Sequence, residues 1–175
     1  MKRDQDITLG STIMPASFLA GTTGTITVIH HIKKMMPIKR TKYQSEKSLK
    51  EFYTSNEWKG AFKIRSKKML DIIDAINEIF IETNLIATTS HQRICIGVKE
   101  EIPLNWIIII SNNCLDEYHF EYKVPNENSP WDNAWMTGTA KNLQEAIKYL
   151  LTSMDKSGAW KGNRELVKLS KTYGV

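Results

Sequence analysis

Residues 105–111 read NWIIIIS, and four consecutive isoleucines constrain this chain more than any other feature. Side chains alternate between the two faces of a strand, so the run is apolar on both. A strand tolerates that only in the middle of a sheet whose two sides are at least partly covered. The run is far shorter than the eighteen or so residues needed to cross a bilayer. It is therefore expected as a central strand. If helices cover one of its sides, the N-terminal segment or another subunit is expected on the other.

Neighbouring segments supply the rest of a sheet. In RICIGVKE, Ile94, Ile96 and Val98 share one face, and in EYHFEYKV, Tyr118, Phe120, Tyr122 and Val124 oppose His119, Glu121 and Lys123. Both alternate as half-buried antiparallel strands do. AWMTGTA gives a fourth strand before Asn142. Helices flank the run. Ser48 stands three residues before Glu51, and Asn142 three before Glu145, which is the spacing of helix N-caps. The stretch 66–83 places Met69, Ile72, Ile73, Ile76, Ile79 and Phe80 on one helical face and Asp71, Asp74, Glu78 and Glu82 on the other. Leu143, Ile147, Leu150, Leu151 and Met154 form a second stripe, and a short helix follows SGAWKGN. The expectation is an α+β domain over residues 36–175: an antiparallel sheet of about four strands in one meander, flanked by two N-terminal and two C-terminal helices. Residues 1–35, with Gly, Thr and Ser between short apolar pieces, read as an appendage, weakly structured or contributing one strand through GTITVIHHI.

Two cysteines, Cys95 and Cys114, suit a reducing compartment better than a disulfide framework. The N-terminus lacks the uninterrupted apolar run of a signal peptide, so a cytoplasmic protein without a membrane anchor is expected. The formal charge of +5 hides an uneven layout. Residues 33–68 hold twelve Lys or Arg against three acids, and residues 69–132 hold eleven acids against three bases. Such a split points to two surfaces with different partners, or to segments that neutralise each other.

Candidate chemistry is sparse. His91, Cys95, Cys114 and His119 are donors that zinc accepts, but the tight C-x2-C knuckle of most zinc sites is missing. Glu121 and Lys123, with Glu101 upstream, match the acid-plus-E-x-K pattern of some metal-dependent nucleases, with a solvent-facing ion pair as the plainer reading. Neither a nucleophile elbow, a phosphate loop nor a dinucleotide fingerprint occurs, and no cofactor is expected. In the basic segment, Lys39, Arg40, Lys42, Arg65, Lys67 and Lys68 are candidate phosphate contacts, interleaved with Tyr43, Phe52, Tyr53, Trp58 and Phe62. The same aromatics also read as core, with the lysines complementing the acidic helix that follows.

The loop PNENSPWDN and the strand after it hold Trp131 and Trp135, beside Glu127 and Asp132. A tryptophan on a polar loop buries a large area at low entropic cost when a partner covers it. The leading expectation is a small non-enzymatic partner-binding protein of the inhibitor, immunity or regulator type, using an acidic sheet side and this loop; homo-oligomers are compatible with it. A nucleic-acid binder using residues 33–68 comes second, and a metal-dependent hydrolase or nuclease third.

Overall fold

The computed structural model describes residues 36–102, 105–112 and 117–175; the expected 1–35 appendage and Cys114 lie outside them. In chain order the elements are β1 (Ile38–Arg40), α1 (Leu49–Tyr53), α2 (Ala61–Ile79), β2 (Leu85–Ser90), β3 (Arg93–Gly97), β4 (Ile108–Asn112), β5 (Tyr118–Lys123), β6 (Trp135–Ala140), α3 (Leu143–Lys156) and α4 (Arg164–Tyr173). The strands form one sheet in the order β1-β2-β3-β4-β5-β6. β2 to β6 make an antiparallel meander, and β1 joins β2 in parallel. A parallel neighbour requires a crossover, and α1 with α2 supplies it. The α+β class is as expected; the sheet is mixed and has six strands rather than four. The two unexpected strands lack the alternation that marks a half-buried strand: β1 has three residues, and β2, LIATTS, opens with two apolar residues in a row.

The isoleucine run is β4, an interior strand with Ile108 and Ile110 fully buried and Ile109 at 8% exposure. Paired residues of neighbouring strands share a face, so the register sorts the whole sheet. Ile94, Ile96, Ile108, Ile110, Tyr118, Phe120, Gly138 and Ala140 lie on one side. Onto that side pack Met69, Ile72, Ile73 and Ile76 of α2 with Leu150, Leu151 and Met154 of α3. Each fully buried aliphatic side chain contributes about 1.5–3 kcal/mol, so this layer dominates the fold's stability. The opposite side holds Thr88, Cys95, Ile109, Glu121 and Thr137 in one row and His119 and Thr139 in the next. Among the described residues no helix is long and apolar enough to cross a membrane.

Local signals place the helix ends. Ser48 and Glu51 form a reciprocal capping box on α1, and Asn142 Oδ1 accepts from the Glu145 amide at 2.9 Å. α2 begins five residues before the expected Ser66, because its first turn carries Phe62 and Ile64 at 50% and 64% exposure, outside the buried stripe. α4 is tied to the α2–β2 connection by Glu165, whose carboxylate accepts from the amides of Ile81 at 2.6 Å, Glu82 at 3.1 Å and Thr83 at 2.7 Å. Burial of this carboxyl raises its pKa, but hydrogen bonds from the Thr83 hydroxyl and these amides outweigh that and leave it below the usual value. A lowered folded-state pKa means the contribution is present above the unfolded value and is lost as pH falls through the folded one. Glu165→Gln is expected to cost about 1 kcal/mol in urea denaturation at pH 7, the low end for a partly solvated group. The difference from the native chain should vanish on acidification below the ordinary carboxylate range.

Candidate edge-strand interface

β6 is the last strand of the meander and pairs only with β5 among the described residues. The loop entering it runs from Val124, whose amide donates to the Ala134 carbonyl at 2.9 Å, through a single turn of 3-10 helix at Asn126–Asn128. Asn133 closes the loop at φ 58°, a left-handed conformation that Asn adopts more readily than most residues. Trp131 stands out of this loop at 69% exposure, Ala134 is buried, and Met136 is 53% exposed. The Ser129 hydroxyl donates to the Trp131 carbonyl and fixes the backbone beneath the ring.

The Val124–Ala134 hydrogen bond sets the parity of the ladder. In an antiparallel pair, residues that exchange both hydrogen bonds alternate with residues that exchange none. Continuing from Val124 and Ala134, the bonded pairs are Tyr122 with Met136, Phe120 with Gly138 and Tyr118 with Ala140. Trp135, Thr137 and Thr139 therefore turn their N–H and C=O groups away from β5. The strand carries neither charge nor proline, the devices that usually protect an edge. Gly138 brings α3 close, since a Cβ there would lie 3.1 Å from Tyr149 Cε2.

The opposite edge is treated differently. β1 stops after three residues, and the Gln44 side chain takes over: its Oε1 accepts from the Thr89 amide at 2.7 Å and its Nε2 donates to the Thr89 carbonyl. Arg40 Nη2 adds a 2.6 Å bond to the Thr89 hydroxyl. On this side the β2 backbone is completed by side chains where β1 stops and the Ile38 amide donates to Asn77 Oδ1 at 3.2 Å, whereas no such bond to the outward groups of β6 occurs among the described residues.

The remaining candidates scatter. Glu127 and Asp132 are exposed in the loop next to Trp131, and Trp135 shares the open sheet face with Thr137 and Thr139. The sheet side is not acidic, contrary to expectation. Its charged residues are Lys39, Arg93, Lys123 and Glu121, while Asp74 and Glu78 are exposed on α2 and Glu100 accepts from Thr41 at 3.0 Å and the Lys42 amide at 2.8 Å. Apart from Glu121, the described acids of residues 69–132 thus sit on a helix and in loops.

Among the described residues no three His, Cys, Asp or Glu converge as a metal set. His91 occupies the β2–β3 turn, hydrogen-bonded to Ser90, and His119 contacts Thr139 at 3.3 Å. Cys95 is fully buried, and burial pushes its thiol up to about 11 despite Arg93 and the Thr88 hydroxyl. A neutral thiol is a poor ligand. Glu101 borders a groove with Thr88 and Ser90 of β2, whereas Glu121 and Lys123 stand on β5, three strands further across.

The six basic candidates do not form one stripe. Lys39 is on the open side of β1, while Arg65, Lys67 and Lys68 are on α2, against the other side. Lys42 and Lys68 lie over the rings of Tyr43 and Tyr118 at 5.0 and 5.5 Å, and Arg65 over Phe62 at 5.6 Å. Tyr53 is buried, and Trp58 donates to the Phe52 carbonyl at 2.7 Å. Lys50 pairs with Asp74, so part of the basic segment neutralises the acidic helix. Arg40 is half-buried and held on several sides: besides Thr89 it bonds Gln44 at 3.1 Å and the Lys47 carbonyl at 3.3 Å, with its guanidinium 4.7 Å from the Phe52 ring.

No family model matches this chain, and no curated protein or solved structure is significantly similar to it.

Arg40→Ala is expected to lower stability by roughly 2–3 kcal/mol, since it removes several hydrogen bonds and a ring contact at once. Urea denaturation measures this loss; an unchanged midpoint would return Arg40 to the pool of ligand-binding residues.

Proposed function

We propose that the protein is a non-enzymatic partner-binding protein of the inhibitor, immunity or regulator type, which receives an extended segment of another chain along β6. The observation that supports this reading is the pairing of an open strand edge with an exposed ring: three outward-facing residues, Trp135, Thr137 and Thr139, beside Trp131 at 69% exposure. Strand addition gives affinity through main-chain hydrogen bonds and specificity through pockets for alternate side chains. Each outward residue offers one donor and one acceptor. Trp131 supplies the anchor, since a large rigid ring loses little entropy on burial. The exposed acids Glu127 and Asp132 at the Trp131 end favour a segment that is basic where it meets them.

The test is capture of the partner from the native host by the full chain and by two variants. Thr137→Pro removes an outward amide and leaves the β5 ladder intact, because proline is tolerated on an edge strand whose N–H faces solvent. It should lose the partner while keeping stability within about 0.5 kcal/mol. Trp131→Ala should weaken binding by about 2 kcal/mol, roughly thirtyfold, with an equally small effect on folding. Undiminished capture by Thr137→Pro would defeat the reading. A stability loss above about 2 kcal/mol in Trp131→Ala would assign the ring to the fold instead.

A further inference from the structure

Resting on the reading of β6 as a docking edge, we infer that the free protein closes this edge with a second copy of itself, so that a heterologous segment must displace a two-fold dimer. The strand is self-complementary in one register. Its outward residues are Trp135, Thr137 and Thr139, and an antiparallel two-fold pairing centred on Thr137 sets Thr137 against Thr137 and Trp135 against Thr139. Every outward residue then meets an outward residue, and the three pairs form six interchain hydrogen bonds. Sliding one copy by two residues in one direction brings Asn133 into the ladder, where its φ of 58° is incompatible with a strand, and in the other it sets Trp135 against Lys141, beyond the strand's end at Ala140.

The side chains fit the same register. On the helix side, Met136, 53% exposed, comes opposite Gly138 of the second copy, and so beside the Tyr149 ring that lies where a Cβ of Gly138 would be. On the open side, Trp135 at 36% exposure lies across Thr139. Cross-strand pairs of this kind are the unit of sheet stabilisation. Charge agrees as well. The strand is uncharged, with Asp132 before one end and Lys141 after the other. The register sets Lys141 opposite Asn133, one residue from Asp132, so each acid comes within reach of the second copy's lysine, twice per dimer. A two-fold axis normal to the sheet keeps the helices of both copies on one side, and the interface is isologous, as in most soluble dimers.

Sedimentation velocity and light scattering of the full chain over a concentration series test the inference. The unmodified chain should dimerise, and Thr137→Pro should be monomeric over the same range. Lys141→Glu and Asp132→Lys should each weaken self-association roughly tenfold, because each places like charges together twice. Mixing those two variants should restore a dimer, since the mixed pair regains both attractive contacts. A chain monomeric at every concentration, a Thr137→Pro dimer, or a mixture no tighter than its components would overturn the proposal. The partner capture above separates the two ideas: monomers whose capture still depends on Thr137 leave the function standing without the dimer. Dimers abolished by Thr137→Pro, with heterologous capture untouched, leave the dimer without that function.

Discussion

Everything else in this structure depends on one apolar layer, in which α2 and α3 lie against a single face of the sheet. Ile94, Ile96, Ile108, Ile110 and Phe120 meet Met69, Ile72, Ile73, Leu150 and Leu151 there, with almost no solvent contact. The consequence for function is asymmetry. One face of the sheet is committed to stability, and its other face and its edges are left to carry whatever the protein binds. Because the two helices come from opposite ends of the described chain, the layer also closes the meander between them and fixes which strands finish at the edges.

The two edges show how differently the same liability is met. At β1 the chain ends its strand after three residues and completes the hydrogen-bonding row with side chains, Gln44 on both backbone groups of Thr89 and Arg40 on its hydroxyl. At β6 a six-residue uncharged strand ends the sheet, with Trp131 projecting beside it. A chain that completes the β2 row with side chains has the means to complete the β6 row as well. The contrast gives the open edge its functional weight, more than the exposure of any single residue.

What was legible in the sequence is what local physics decides. The four isoleucines could sit only in the sheet interior, and Ser48 with Glu51 and Asn142 with Glu145 announced two helix starts by spacing alone. β1 and β2 were not legible, because three residues are too few for a period and LIATTS does not alternate. The start of α2 was hidden by Phe62 and Ile64, whose exposure breaks the stripe. The acidic sheet side failed for a different reason: the count of acids along residues 69–132 ignores that strands and helices turn neighbouring residues apart, which sent Asp74 and Glu78 to a helix surface and left Glu121 beside Lys123. Arg40, expected as a phosphate contact, is half-buried and hydrogen-bonded to residues up to 49 positions away, a setting no local pattern announces.

Gly138 ties the edge strand to the core. Its missing side chain is needed on the helix side, where a Cβ would press on Tyr149 at 3.1 Å, and Tyr149 in turn stacks edge-on against Phe120 with ring centroids 6.0 Å apart. The same absence leaves β6 without a side chain at the middle of its helix-side row, between exposed Met136 and buried Ala140. A bulkier residue there would press on Tyr149 and lift α3 from the sheet. Glycine thus serves core packing at this position, although glycine ordinarily weakens a strand. The fold accepts a locally weaker outer strand because α3 already holds it from one side, which leaves its outward backbone groups for a partner to complete.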